Sequence, residues 1–368
     1  MTMMTIDVRF IGASGIGTYI KEVVPGIIRS LSEYEFALLG KSEEIASLKL
    51  PNDAKIQIIP ASSKMYSLKE QWEIPGLIPK SSKLYFSPHY PTPLGYRGKL
   101  VATVHDLFHL AMPDLVGGLH KKMYAKWMLN RLVHKADAII TVSEFSKAEF
   151  TKYTRSDVEK VHAIPLGVNE SWFIPSTLPN PHPRPYLLFI GNVKPNKNLS
   201  NLVLAYQKLI LNVPYDLVIV GKKDGFLSSD QAVYEIANAY LDRIRFTGFV
   251  SDALLKSFMD HASAFIFPSI YEGFGLPPLE AMAAGIPTIV SQTASLPEVC
   301  GVASLYCDPY SIDDIAQKIE QLLANPHMQN ELRFKGLERA RQLTWSKTIE
   351  KTAKLLDEVV SYQNKHKL

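Results

Sequence analysis

Short apolar runs alternate with longer stretches of helical periodicity along nearly the whole chain, and no other feature restricts the fold as strongly. Candidate strands in the first part are residues 5–9, 35–39, 55–59, 83–87, 100–105, 138–142 and 161–165, each ending near Gly, Ser, Asp, His or Pro. Strand then helix, repeated, builds a parallel sheet with helices on both faces. Prolines then crowd at Pro175, Pro179, Pro181, Pro183 and Pro185. Proline lacks an amide donor and fixes φ, so this stretch is neither helix interior nor central strand. It reads as an interdomain linker over residues 173–185. The alternation restarts with strands expected at 186–190, 217–220, 244–247, 264–267, 287–290 and 304–307, a helix at 199–211, and nearly continuous helical pattern from about 312. The sequence therefore predicts an α/β protein of two Rossmann-like domains, residues 1–172 and 186–344.

A length of 368 residues also suits two domains at about 150 residues each. Apolar residues make up 46% and charged residues 21%, as in ordinary globular protein and unlike a disordered chain. A net charge of +4 is too mild for a dedicated nucleic-acid binder, so any anion site must be local. Two cysteines, Cys300 and Cys307, exclude a disulfide scaffold and read as buried hydrophobes in a reducing compartment. No apolar run reaches the roughly 18 residues of a membrane span. The opening MTMMTIDVRF has no signal-peptide pattern. Together these features point to a cytoplasmic enzyme.

The most informative segment is SIYEGFGLPPLEAMAAGIPTIVS, residues 269–291. It follows the apolar run AFIF. Gly273 and Gly275 make a flexible loop, Pro277 and Pro278 suit a first helical turn, and Gly285 suits the position just past a helix end. Free amides near Phe274, Gly275 and Leu276, with the helix dipole, favour a phosphate. Glu280, read as lying in the first helical turn, has carboxylate oxygens that can accept bonds from a ribose diol. Glu272, before the loop, can accept them from a sugar hydroxyl. The bland alternative is that Glu280 complements the helix dipole and Glu272 is solvated.

This segment resembles the signature of the retaining glycosyltransferases of family four, glycosyl transferases group 1, whose fold is called GT-B. Glu272, Phe274, Gly275, Glu280, Ala281, Met282, Ala283 and Gly285 match its pattern of two glutamates with seven residues between. GNVKPNKNL (residues 191–199) resembles the family's phosphate loop, and FTGFVSDALL (246–255), carrying Phe249 and Val250, its base-proximal segment. VHDL (104–107), TVSEFSK (141–147) and IPLGVN (164–169) resemble landmarks of the first domain. The resemblance covers most of the chain and is more specific in the second half. It implies two Rossmann-like domains facing across a cleft, with a last helix, about 345–368, returning to the first domain. It further implies transfer of a sugar from a nucleotide diphosphate, with retention of the anomeric configuration.

The remaining site residues follow from chemistry and resemblance together. Lys194 and Lys197 precede a helix expected near Asn198, where two ammonium groups oppose the dipole; a diphosphate would remove that conflict. The family implies a diphosphate contact for Lys197. Asn192 stands where many members carry arginine, and Lys194 is the candidate replacement. Gly15 and Gly17, in IGASGIGTYI, suit close approach of phosphate or simply a tight turn. His105 and Asp106 end a strand, where side chains face the ligand end of the sheet; the family implies that His105 meets the donor sugar, while a structural cap is the plain alternative. His105 and His109 have metal-like spacing but no third ligand. Asp106, with Tyr66 and Trp72 of the basic–aromatic segment 62–72, is placed on the acceptor side. No Asp-x-Asp triplet occurs, which fits metal-independent catalysis with Lys197 and helix amides neutralising the leaving group. No cofactor is expected, since the nucleotide sugar is a substrate.

The GxxxPxKNL form of the lysine loop resembles members that use GDP-mannose, which makes mannose the favoured sugar and leaves UDP-sugars open. The expected acceptor is a saccharide or a lipid-linked sugar. A second basic–aromatic segment, residues 118–135, reads first as a surface helix covering the sheet; its basic amphipathic pattern also suits peripheral contact with the cytoplasmic membrane face. A sugar-nucleotide epimerase, a phosphorylase or a non-catalytic sugar-nucleotide sensor on the same architecture are the alternatives.

Overall fold

The computed structural model describes residues 2–64, 67, 69–93, 95–116, 119–221, 235, 239–240 and 242–362, apart from the side chains of 114, 116 and 119–121. The chain forms two compact units. One comprises Met1–Gly167 and Trp345–Leu368, the other Val168–Thr344.

The first unit is built on a seven-stranded sheet in the order β3-β2-β1-β4-β5-β6-β7. Its strands are β1 (Met3–Asp7), β2 (Glu35–Gly40), β3 (Ile56–Pro60), β4 (Ser82–Ser87), β5 (Lys99–Val104), β6 (Ala138–Thr141) and β7 (Val161–Ala163). Every pairing is parallel. The central strands are apolar on both faces, as helices on either side require. On one face, Leu100, Ala102 and Val104 share a core with Ile74 of α2 (Glu70–Leu77) and with Ala125, Leu129 and Leu132 of α3 (Leu119–Lys135). On the other face, Thr103 meets the Tyr19 hydroxyl of α1 (Gly15–Ser30) at 3.3 Å. The period of two along β5 separates the layers. A further helix, α4 (Glu144–Thr154), starts from Ser143, whose hydroxyl accepts from the Ser146 amide at 3.0 Å.

The last helix, α10 (Trp345–Ser361), belongs to this first unit and packs on α1. The contact is close at Gly26, where an added Cβ would lie 2.4 Å from Ile349 Cδ1. Thr348 donates to the Pro165 carbonyl at 2.7 Å, and the Tyr34 hydroxyl donates to Asp357 at 2.5 Å. β1 ends at Asp7 rather than at residue 9. Arg9 lies past the strand and folds back, its NH2 2.7 Å from the fully buried Asp7 carboxylate.

The second unit holds a six-stranded sheet in the order β10-β9-β8-β11-β12-β13. Its strands are β8 (Tyr186–Ile190), β9 (Asp216–Val220), β10 (Ile244–Gly248), β11 (Ala264–Phe267), β12 (Thr288–Ser291) and β13 (Leu305–Cys307), again all parallel. The longer helices beside them, among the described residues, are α5 (Leu199–Leu209), α6 (Asp252–Asp260), α7 (Leu276–Ala283), α8 (Ile312–Leu323) and α9 (Pro326–Gln342).

The proline-rich segment expected to be a linker lies wholly inside this second unit. Its prolines forbid helix and strand but leave carbonyls and neighbouring side chains free to bind. Ser257 donates to the Pro179 carbonyl at 2.9 Å, and the Ser176 amide donates to Asp260 at 2.5 Å. At the foot of β9, the buried Asp216 carboxylate receives His182 at 2.7 Å and Arg184 and Arg243 at 2.8 Å each. The segment is thereby clamped to the sheet it precedes.

Candidate active site

In an open parallel sheet the two strands where the order reverses leave a crevice beyond their carboxyl ends. In the second unit those strands are β8 and β11. The segments leaving them, Gly191–Lys197 and 268–272, are laced together. The Ile270 amide donates to the Asn196 carbonyl at 2.8 Å, and the Asn196 side-chain amide donates to the Tyr271 carbonyl at 3.0 Å. Asn198, at φ +58°, donates to the carbonyls of Pro268 at 3.1 Å and Pro309 at 2.6 Å.

This lacing brings Lys197 and Glu272 together: Lys197 Nζ lies 2.6 Å from Glu272 Oε1, both side chains mostly buried. The same ammonium sits 5.0 Å above the Phe267 ring centroid. Ser269 Oγ is 2.5 Å from Glu272 Oε1 and 2.8 Å from the Asn196 carbonyl oxygen. That carbonyl already accepts from Ile270, so the single hydroxyl proton is best used on the carboxylate. Glu272 is thus oriented by an ammonium and a hydroxyl, and among the described residues two of the three Lys197 N–H donors are left for an anion. The expected conflict between Lys197 and a helix dipole is met by Glu272 within the protein itself. A 3-10 turn (Pro195–Lys197) and the left-handed Asn198 stand between Lys194 and α5, and Lys194 is exposed with extended backbone. Asn192 is half-buried.

The loop from Glu272 to α7 is pinned by Ser295, whose Oγ is 3.0 Å from the Glu272 carbonyl oxygen and 2.7 Å from that of Phe274. Gly275 has φ +110°, and a Cβ there would sit 2.6 Å from Leu296 Cδ2, so the turn demands glycine. Pro277 and Pro278 occupy the first turn of α7 as expected and carry no amide hydrogen. The donors at this helix start are therefore confined to residues 274–276. At the other end Gly285, φ +73°, closes the helix: its amide donates to Met282 and that of Ile286 to Ala281, both at 3.0 Å.

Glu280 is the fifth residue of α7, not part of its first turn, so complementing the helix dipole is a weak account of it. Burial, and next the Asp252 carboxylate, push its carboxyl up to about 8, against the hydrogen bond from Trp172. Phe249 is 78% exposed, and it and the half-buried Val250 follow Gly248 just before α6.

In the first unit, His105 and Asp106 lie just past β5. His105 Nε2 is 2.8 Å from the Pro88 carbonyl oxygen, which can only accept. The proton therefore sits on Nε2, and the Nδ1 lone pair of the neutral ring is left to accept. Burial lowers the imidazole pKa, which favours that neutral form. The exposed Asp106 accepts from the Phe108 amide at 3.1 Å, a local capping bond. Gly15 opens α1 with space around it, whereas a Cβ at Gly17 would lie 2.4 Å from the Ile11 carbonyl oxygen. The close approach that Gly17 permits is thus to the chain's own backbone. Trp72 is 81% exposed on α2. Tyr66 lies outside the described residues. Among the described residues no group of three or more His, Cys, Asp and Glu side chains is placed to hold a metal ion.

Several residues that build this site were not among those singled out from the sequence. Ser269 opens the key segment, and its spacing three before Glu272 was the available signal. Asn196, Ser295 and Trp172 act across loops distant in sequence, and no local pattern marks them.

Residues 170–339 match the family Glycosyl transferases group 1, and residues 82–172 match Glycosyltransferase Family 4. The chain is 27% identical to O-antigen chain mannosyltransferase B of Escherichia coli, over 92% of this chain and 94% of that one. It is 33% identical to O-antigen chain mannosyltransferase RfbU of Salmonella typhimurium, over 66% of each. Among solved structures, sucrose-phosphate synthase from Thermosynechococcus elongatus superposes with a TM-score of 0.78 at 18% identity, covering 98% of this chain and all (100%) of that one. Anabaena HepE in complex with UDP-glucose gives 0.76 at 14% identity, over 97% of this chain and 100% of that one. The fold is GT-B, and the chain belongs to family four of the glycosyltransferases, with a glycosyl transferases group 1 domain as its second unit.

Proposed function

We propose that this glycosyltransferase moves mannose from GDP-mannose to a hydroxyl of a saccharide or lipid-linked acceptor, with retention and without a metal ion. The observation that carries the reading is the Lys197–Glu272 pair at the β8/β11 crevice. The mannosyltransferase names of the curated relatives and the GNVKPNKNL loop support the donor; the O-antigen names support a surface-polysaccharide acceptor.

In this reading the bond between the sugar's anomeric carbon and the diphosphate oxygen breaks, and its electron pair goes to the phosphate. Lys197, joined by Lys194 and Asn192, and the amides of residues 274–276 stabilise that charge. The acceptor oxygen attacks the face the phosphate leaves, and its proton passes to the departing phosphate oxygen. The products are GDP and the lengthened acceptor. Glu272 accepts sugar hydroxyls while Ser269 and Lys197 hold its rotamer. His105 offers a neutral Nδ1 to a sugar hydroxyl. Glu280 accepts from the ribose, beside Phe249 and Val250 at the base; Gly15 gives the phosphates room. No carboxylate is assigned as a nucleophile, so orientation supplies much of the rate.

A thermal-shift panel tests the donor directly. GDP and GDP-mannose should each raise the melting temperature with EDTA present, and UDP, ADP and their sugars should do so far less at equal concentration. A larger shift with UDP-sugars would reject GDP-mannose as donor; binding only with added divalent cation would reject the metal-independent reading.

A further inference from the structure

We propose that Ser87 and His89, anchored on Asp7, are positioning residues for His105: they hold the Pro88 carbonyl against its ring and so aim its free nitrogen at the donor sugar. This role rests on the reading of His105 as a sugar contact. The residues meet where the order of the first sheet reverses, between β1 and β4. β1 ends at Asp7, β4 at Ser87 and the adjacent β5 at Val104. Three neighbouring strands thus deliver Asp7, the turn over 88–91 and His105 to one end of the sheet. Asp7, Ser87 and His89 are all buried there, His89 at 1% exposure and the other two at 0%.

Each contact in the chain is directional. Ser87 pairs with Ala102 of β5, and its Oγ donates to the His89 carbonyl at 2.7 Å, tying the turn back to the strand that starts it. Backbone pinned on both sides of Pro88 leaves that carbonyl little freedom, and it accepts from His105 Nε2 at 2.8 Å. The His89 side chain secures the turn from the β1 side: Phe10 packs on it edge to face, and its Nε2 lies 3.4 Å from Asp7 Oδ2. Asp7 is itself fixed, by Arg9 Nε at 2.9 Å and the Tyr85 hydroxyl at 2.8 Å. Burial opposes its ionisation, yet His89 and Arg9 hold the carboxyl below its ordinary range, so it only accepts. Burial also lowers the His89 imidazole, against Asp7, which keeps that ring neutral with its proton towards the carboxylate. The separation is long for a hydrogen bond, and His89 Nε2 has no closer partner among the described residues. Charge and packing therefore orient this ring. Burying an aspartate, an arginine and a histidine around so short a turn costs desolvation. A turn that only joined two strands would have no use for them.

Magnetic-resonance spectra of the histidine ring protons, recorded without nucleotide, read the bond directly. Wild type should show a His105 Nε2–H signal, identified by its loss in His105→Ala, that exchanges slowly with water. Ser87→Ala and His89→Ala should each speed that exchange by about tenfold or more. Ser87→Ala removes a single oxygen from a strand end, so the result does not hang on whether His89→Ala folds. In calorimetry, Ser87→Ala should weaken GDP-mannose binding by about threefold or more and leave GDP binding unchanged; in a His105→Ala background it should change neither. A turn that served stability alone would act on both ligands, with or without His105. Unchanged ring-proton exchange in Ser87→Ala, equal losses for GDP and GDP-mannose, or a further loss in the His105→Ala background each overturns the proposal. GDP-mannose binding untouched by His105→Ala would strike the sugar role of His105 from the proposed function, and the aiming role of Ser87 and His89 with it. The nucleotide-free spectrum tells that failure from a failure of the scaffold.

Discussion

At the scale of single residues the account rests on how Glu272 and Glu280 are held. Glu272 is paired with Lys197 and aimed by Ser269. Glu272→Gln keeps the shape but loses the charge and is expected to lower transfer by about a hundredfold or more with GDP affinity nearly intact; near-normal turnover would reject its sugar role. Glu280 behaves differently, because its carboxyl is raised from 4.5 to about 8 by burial first and Asp252 second. Folding therefore takes up a proton between those values. The stability linked to it is complete below pH 4.5 and is lost as pH rises through about 8. Glu280→Gln should raise the melting temperature near pH 8, with the gain vanishing in acid. An ionised carboxylate accepts two ribose hydroxyls better than the protonated acid does, so nucleotide affinity should rise with pH towards that pKa in wild type and stay flatter in Glu280→Gln. An affinity that falls as pH rises would mean that the protonated carboxyl is the binding form.

Among elements, the helices that build the site are placed by turns that only certain residues allow, and these were partly legible in the sequence. The glycines and prolines flanking α7 state its start and its end. Gly275 and Gly285 do so through positive φ, and Pro277 and Pro278 through the amides they lack. The proline-rich segment misled because proline reports what a backbone cannot form, not what its neighbours bind. Only the fold shows His182 and Arg184 converging on Asp216, many residues away. Arg9 and Glu70, joined around Asp7 in the first unit, were equally hidden: each alone is a common surface residue type. The α1–α10 contact makes an element-scale prediction. At Gly26 an added methyl meets three carbons of the β-branched Ile349 within 2.8 Å. Gly26→Ala should destabilise by about 1–3 kcal/mol despite its better helix propensity. Ile349→Ala in the same chain should recover part of that loss in a denaturation series; strict additivity of the two changes would contradict the packing.

For the whole molecule, strand–helix alternation was enough to announce two parallel sheets, because parallel strands buried on both faces carry long apolar runs. Every expected strand is present, with ends shifted by a residue or two where an ion pair or turn ends the pairing. The second sheet's reversal point coincides with its chemistry, since β8 ends in the lysine loop and β11 leads to Glu272. The central claim is that this junction holds a nucleoside diphosphate through Lys197. Calorimetric titration of GDP and of guanosine into wild type and Lys197→Met tests it most directly. GDP should bind wild type well and the variant at least about tenfold more weakly, while guanosine binds both alike. Equal losses for GDP and guanosine, or GDP binding untouched by the substitution, would contradict it.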